Sequence, residues 1–379
     1  VHDPNMLVAV GLPIMFNNAL YNCCALVGNH EIKAIVPKQN LCADGVHYET
    51  RWFKPWPRGK VESVGYGRGQ RVPFGDVVLQ YSDLRVGVEI CEDAWVADRP
   101  GISHSQRGVD VILNPSASHF ALGKHRIRQR FVTEGSRAFG CAYIFTNLLG
   151  NEAGRVIYDG HCLISSGGRL VAEGERLSID RNFSRTEAVI DIDENRTRRI
   201  QNHSFKIADD IKTEAHMIGV ASPTGIDIDK LKRYDDLLDA PAVDNRYEEF
   251  TKAVSLGLFD YMRKSHSNGF VLSISGGVDS AACAELVKEM VERCGKPPVD
   301  TSCLTCVYQA TKNSSPETEA AARSVAEGLG FKYVYWPVDD LVEGYEDLVR
   351  GAIGRPLSWE ADDIARQNIQ ARVRAPGVW

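Results

Sequence analysis

Apolar residues fall into short runs along the first half of the chain. "LVAVGLPIMF", "NCCALV", "IKAIV", "DVVLQYS", "RVGVEI", "VDVILNPS", "AYIFTNLL", "RVIYDGHCLISS", "RLVAEGE" and "EAVIDID" are each apolar or alternating, and Asp, Asn and Gly separate them. Runs of this kind predict strands. One stretch between them, "KHRIRQRFVTEGSRAFG", fits a helix. Residues 1–192 therefore read as a strand-rich α/β domain. Residues 193–244 are polar, with turn dipeptides in "ASPTGIDIDKLKRYDDLLDAPAVDN", and predict a connecting segment with one or two short helices. From 245 the period changes. "YEEFTKAVSLGLFDYMRKSH" is apolar at helical spacing, and then strand-like "GFVLSIS", "TSCLTCVY" and "KYVYWPV" alternate with helix-like "VDSAACAELVKEMVERCG" and "SPETEAAARSVAEGLG". That alternation predicts a parallel, doubly wound sheet over 245–379.

Composition narrows the class of protein. A chain of 379 residues holds two or three domains. Its net charge of −6 argues against a general nucleic-acid binder, which needs a basic excess to neutralise phosphates. No apolar run approaches the ~18 residues that span a bilayer, and the start lacks the basic-then-apolar layout of a secretory signal. The first residue is Val1 rather than Met, so it need not be the natural start. Ten thinly spread cysteines do not make a disulfide framework and point to a reducing cytoplasm. Cys303 and Cys306 have metal-knuckle spacing, but no second Cys/His pair follows and the stretch is apolar. They read as packed strand residues.

Two stretches carry chemistry that packing does not explain. The first is Ser275-Gly276-Gly277-Val278-Asp279-Ser280, between a buried strand and a helix. A loop there aims backbone N–H groups at its centre, and the helix dipole favours an anion. Gly276 and Gly277 allow close approach, and Ser275 and Ser280 add hydroxyl donors. Asp279 would repel a bare phosphate, and makes sense as a ligand for Mg²⁺ bridging phosphates. "SSGGR" at Ser165–Arg169 repeats Ser-Gly-Gly with no helix and no Asp after it, and predicts a hairpin turn. The second stretch is "VGVEICEDAW", in which a buried strand ends on Cys91 among acids. A nucleophilic thiol needs this kind of strand-end placement.

The SGGxDS loop resembles the N-type ATP pyrophosphatase family, which adenylates an acid by splitting ATP. "TKNSSPET", whose Ser315-Pro316 starts a helix, and "RQNIQARVR" at Arg366–Arg374 resemble successive segments of glutamine-dependent NAD synthetases. The resemblance covers nearly the whole chain. "VPKQNLCADGVHYETRWFKPW" looks like the lysine segment of the family's nitrilase-like glutaminase domain, "EICEDAW" like its nucleophile segment and "NPSASH" at Asn114–His119 like its glutamine pocket; "YDG" at Tyr158–Gly160 also fits.

The resemblance implies a nitrilase-like α-β-β-α sandwich followed by a Rossmann-like doubly wound ATP pyrophosphatase domain. It implies Cys91 as nucleophile, Lys38 as catalytic lysine and Glu49 as the glutamate that holds the lysine. Glutamine binding falls to Glu92, Ser118 and Tyr48, and ATP binding to Ser275, Gly276, Gly277, Val278, Asp279 and Ser280, with Asp279 on Mg²⁺. Glutamine, Mg·ATP and nicotinate adenine dinucleotide are the implied substrates of a homo-oligomer with no tightly bound organic cofactor, no nucleic acid and no membrane. Cys42 lies in a loop and reads as packing. The family's general-base glutamate precedes the lysine, where only Glu31 stands, at a predicted hairpin tip. It is expected upstream of residue 1. "APGVW" after "QARVR" is expected to stop a helix that the family continues, which leaves the synthetase domain incomplete. Two other readings stay open here: a glutamine-dependent ligase for another acid, and a non-catalytic fragment or pseudoenzyme that only binds ATP or partner subunits.

Overall fold

The computed structural model describes residues 6–67, 69–152, 154–179, 182–206, 216–218, 245–295 and 300–378. The chain divides into two compact units, Val1–Gly150 with Val156–Arg246 and Asn151–Arg155 with Tyr247–Trp379.

The first unit is built on two large sheets. β1 (Leu7–Phe16), β2 (Ala19–Gly28), β3 (Glu31–Pro37), β4 (Val61–Tyr66) and β5 (Gln70–Gly75) form a sheet in the order β1-β2-β3-β5-β4, with α1 (Glu49–Trp52) between β3 and β4. The second sheet takes β6 (Leu79–Tyr81), β7 (Leu84–Val88), β8 (Val111–Ser116), β9 (Ala142–Asn147), β12 (Cys162–Ser166), β13 (Arg169–Glu173) and β14 (His216–Ile218), in the order β13-β12-β9-β8-β7-β6-β14. β10 (Leu149–Glu152) and β11 (Val156–Asp159) make a separate pair. α2 (Pro100–Gln106) follows β7, α3 (Lys124–Phe139) lies between β8 and β9, and α4 (Ile192–Gln201) follows β13.

Alternation along the strands explains the layers, because successive side chains point to opposite faces. On β2, Cys24 and Leu26 join Ala34 and Val36 of β3, Leu79, Val88 and Ile90 in the cluster between the sheets. Their neighbours Cys23, Ala25 and Ile35 face the other way, onto Trp56 and Phe74. On the far side of the seven-stranded sheet, Val132 and Phe139 of α3 pack on Ile112, Tyr143, Phe145 and Leu163. This is the expected sandwich, with α3 on an outer face.

Two local expectations in this unit are corrected. "RVIYDGHCLISS" is two strands, broken at Gly160, which has φ +68°. "EAVIDID" is no strand: it is irregular up to Asp191, whose side chain caps α4 by accepting from the Glu194 amide. The "SSGGR" hairpin, by contrast, is present: Gly167 and Gly168 take positive φ between β12 and β13. The rest of the predicted connecting segment, 207–215 and 219–244, lies outside the described residues.

In the second unit α5 (Arg246–Ser265) precedes β15 (Phe270–Ser273), α6 (Val278–Cys294), β16 (Leu304–Ala310), α7 (Pro316–Gly328), β17 (Lys332–Pro337), α8 (Asp339–Ile353), α9 (Asp363–Arg372) and α10 (Arg374–Val378). The three strands are parallel, in the order β15-β16-β17. Pro376 does not stop the helical path. It sits in the first turn of α10, where its missing N–H costs no hydrogen bond.

Candidate functional site

The glutaminase candidates gather where strands of the facing sheets end. Lys38 directly follows β3, and Cys91 lies three residues beyond β7. Lys38 Nζ donates to Glu49 Oε2 at 2.5 Å, with side chains only 3% and 10% exposed. The same carboxylate accepts from Asn22 Nδ2 at 2.7 Å and from the Cys42 N–H at 2.8 Å. Both oxygens of Glu49 are thus occupied, and its carboxylate fixes the position of Lys38 Nζ. Glu31 stands at the opposite end of β3, about 23 Å away at ~3.3 Å per residue, and pairs with Lys33.

Cys91 opens a tight helical turn, Cys91–Ala94, with φ +46°. Burial pushes its thiol up. Lys38 and the Ala117 amide pull it down, while Glu49 and Glu92 push it up. Burial thus favours the thiol form of Cys91, and the Lys38 charge opposes it in favour of the thiolate. Glu92 also faces Cys42, whose thiol burial pushes up to about 11.

Asp93, two residues past Cys91, ties this region together, and the sequence alone does not single it out. It is 2% exposed. Its carboxylate accepts from the amides of Gln39 (3.2 Å), Asn40 (2.7 Å) and Ile90 (2.9 Å) and from Asn40 Nδ2 (3.0 Å). Two of these amides come just after Lys38 and one just before Cys91, so Asp93 clamps the lysine loop onto the nucleophile turn. Asp93→Ala is expected to cost about 3–5 kcal/mol in urea unfolding, because several buried amides lose their acceptor. Burial raises the Asp93 carboxyl from 3.8 to about 6. The folded chain therefore binds this proton more tightly than the unfolded one. The Asp93 contribution should fall as pH rises from about 4 to about 6, and Asp93→Asn should lack that slope.

The Asn114–His119 segment is fixed from behind. The buried Arg128 pairs with Asp159 at 2.5 Å and donates to the Ser118 carbonyl at 2.9 Å and to Ser118 Oγ at 3.3 Å. Asn147 accepts from the Ser118 amide at 2.8 Å and donates to its carbonyl at 2.9 Å. Ser118 is buried and its hydroxyl is turned to Arg128, whereas Tyr48 is half exposed at the start of α1.

The nucleotide candidates occupy the loop between β15 and α6. Gly276 has φ +79°, and a Cβ there would lie 2.3 Å from the Thr318 carbonyl oxygen in the first turn of α7. The start of α7 therefore packs against this glycine, just before the start of α6, and the helix dipole of α6 favours an anion at the loop. Ser275 Oγ lies 3.1 Å from Ser280 Oγ and accepts from the Gly277 amide at 3.2 Å. Ser280 Oγ donates to the Gly277 carbonyl at 3.0 Å. Ser315 caps α7 by accepting from the Thr318 amide. Asp279 is exposed in the first turn of α6, with Val278 80% exposed beside it. A carboxylate so placed offers the hard oxygen that Mg²⁺ takes.

The sequence profile of the carbon-nitrogen hydrolase family matches residues 2–192, half of the chain. The chain belongs to the carbon-nitrogen hydrolase family. The NAD synthase profile matches residues 250–377. A relative named glutamine-dependent NAD(+) synthetase from Bos taurus is 31% identical over 98% of the chain and 58% of its own length. A solved glutamine-dependent NAD(+) synthetase from Cytophaga hutchinsonii is 38% identical, with a TM-score of 0.72, over 99% of the chain and 59% of its own. The enzyme of that name from Acinetobacter baumannii, solved with ADP, shares the fold at 19% identity and a TM-score of 0.67. The chain thus spans somewhat under 60% of the length of these relatives. No helix among the described residues is long and apolar enough to cross a membrane.

Proposed function

We propose that this protein makes NAD by glutamine-dependent amidation. The observation that carries this reading is the presence in one chain of a buried Lys38–Glu49 pair beside Cys91 and an SGGxDS loop at two helix starts. The shared name of its relatives favours nicotinate adenine dinucleotide over other acids as the group amidated. The proposed division is a glutaminase domain at 1–192, a connection at 193–244 and a synthetase domain at 245–379.

Cys91 Sγ attacks the glutamine side-chain carbonyl. The C–N bond breaks, the thiol proton ends on the departing nitrogen, and water hydrolyses the thioester to glutamate. Lys38 and the Glu92 amide face the oxyanion that forms, and Glu92, Tyr48 and Ser118 recognise the amino-acid end. In the second domain Ser275–Ser280 hold the ATP phosphates. Asp279 would hold Mg²⁺, which supplies charge neutralisation between phosphates. The acid carboxylate attacks the α-phosphorus of ATP and pyrophosphate leaves; ammonia then attacks the acyl carbon of the adenylate and AMP leaves. Free ammonia is mostly protonated at neutral pH and is then no nucleophile, which is the reason to couple the two reactions. The cytoplasm suits its ten free cysteines.

The test uses a glutamine-mimicking diazo-ketone and peptide mass spectrometry. Cys91 is expected to be the one thiol labelled, and Asp279→Asn is expected to weaken Mg·ATP binding while Cys91 labelling persists. Label on Cys42 or Cys141 would sink the nucleophile assignment. Equal loss of both properties in a folded variant would sink the two-site reading.

A further inference from the structure

The loop between Lys38 and Glu49 holds a second set of reactive groups that the proposed reaction does not use. Cys42 Sγ, a carboxylate oxygen of Asp44 and a ring nitrogen of His47 all lie within 4.8 Å of one another. Among the described residues this is the one such grouping of three potential metal ligands from Cys, His, Asp and Glu. One thiol, one imidazole and one carboxylate are the donor types that Zn²⁺ takes, at about 2.0–2.3 Å, which places the donors roughly 3.3–3.8 Å apart. Side-chain rotations on a short, exposed loop can close the remaining gap.

A second observation concerns His47. Its Nε2 lies 2.9 Å from Nδ1 of His119. That leaves Nδ1 as the nitrogen able to ligate. A metal-bound histidine characteristically donates its other N–H to a fixed acceptor, which sets the tautomer. With the His47 Nε2–H as donor, His119 Nδ1 is the acceptor of this pair. Asp44 is already organised: its Oδ1 accepts from the Val46 amide at 3.3 Å and from the His47 amide at 3.0 Å. The charges around the cluster have both signs. Lys124 faces it from α3, with Nζ 3.3 Å from His119 Nε2, and opposes a cation. Glu92 faces Cys42 and favours one. The Cys42 thiol must give up its proton, as a coordinating thiol does when a dication binds.

We infer that Cys42, Asp44 and His47 form a site for a Zn²⁺-class cation at the edge of the Cys91 pocket, with His119 as the hydrogen-bond partner of His47. The site is one hydrogen bond from the lysine anchor, because the Cys42 amide donates to Glu49. It also shares Glu92 with the nucleophile. A cation there fixes the loop across the pocket and slows reagents reaching Cys91. That this would regulate glutamine hydrolysis rests on the proposed function; the metal site itself does not.

Co²⁺ is the probe, because a cobalt–thiolate bond gives a near-ultraviolet charge-transfer band. The full chain is expected to bind stoichiometric Co²⁺ with that band, and Zn²⁺ to displace it. Cys42→Ser should abolish the band, His47→Ala should weaken binding at least tenfold, and Cys91→Ser should keep both band and affinity. Zn²⁺ should slow iodoacetamide alkylation of Cys91 at least tenfold in the parent chain and by less than twofold in Cys42→Ser. A band that survives Cys42→Ser but is lost in Cys91→Ser would put the metal on the nucleophile and overturn the inference. So would no band in the parent chain, or Zn²⁺ protection unchanged by Cys42→Ser.

Discussion

Lys38→Gln is expected to slow glutamine hydrolysis by roughly 10²–10⁴-fold, the range for a group that manages charge at the reacting centre. The glutamine amide can still donate to Glu49, so the change removes charge rather than the whole contact. Burial already raises the Cys91 thiol, and Lys38 is the first of the groups that oppose it. Without that cation the thiol rises further. The alkylation rate of Cys91, which follows the thiolate, should then begin its climb at higher pH than in the parent chain. The sign is firm because a cation beside a thiol stabilises only the ionised form. Iodoacetamide kinetics across pH 6–10 (a range chosen for the assay) measure the shift apart from turnover. A lost turnover with an unmoved alkylation profile would confine Lys38 to the oxyanion.

Gly276→Ala is expected to weaken Mg·ATP binding by about 100-fold, or about 2.8 kcal/mol, while Cys91 stays reactive. Two penalties act together. A non-glycine residue at φ +79° carries a strain of about 1–2 kcal/mol. The new methyl would also stand 2.3 Å from the Thr318 carbonyl oxygen, which is backbone and cannot rotate away. The loop must move off the start of α7, and the amides at the start of α6 lose their place around the phosphates. Gly277→Ala is the matched control. Gly277 has φ −90°, and its added Cβ meets only the Ser275 hydroxyl, at 3.3 Å. It should leave the stability of the second unit nearly unchanged in urea unfolding, where Gly276→Ala lowers it. Calorimetry with Mg·ATP and thiol labelling on the same samples separate the two units. Equal effects of the two glycine changes would remove the special place given to Gly276.

Strand rhythm was the legible part of the fold. Cys23 and Cys24 are adjacent and chemically identical, yet they fall on opposite faces of β2, as period two requires. What alternation does not supply is a partner. "EAVIDID" alternates as well as β3 does, yet it pairs with no strand among the described residues. β4 and β5 went unread because their joining stretch, "GYGRGQ", and the exposed Glu62 and Ser63 mask the alternation. At the site, Lys38 and Cys91 were legible through neighbouring motif residues. Asn22 and Asp93 were not, because each bonds to residues far away in sequence. Both left a trace: Asn22 is a polar residue inside an apolar run, and Asp93 stands three residues after Ile90, the spacing at which an acid reaches back to the amide that opens a helical turn.

The backbone of Cys91 bears on whether this pocket still works for its living. A β-carbon at φ +46° carries a strain of order 1–3 kcal/mol, which glycine would not pay and asparagine would feel less. Burying a thiol beside Glu49 and Glu92 adds a further penalty whenever it ionises. A chain kept only as a scaffold or an ATP-binding subunit would gain stability by drifting to glycine at this one position. Cysteine in that turn is a choice that folding alone disfavours, and a use for the thiol itself would offset the strain.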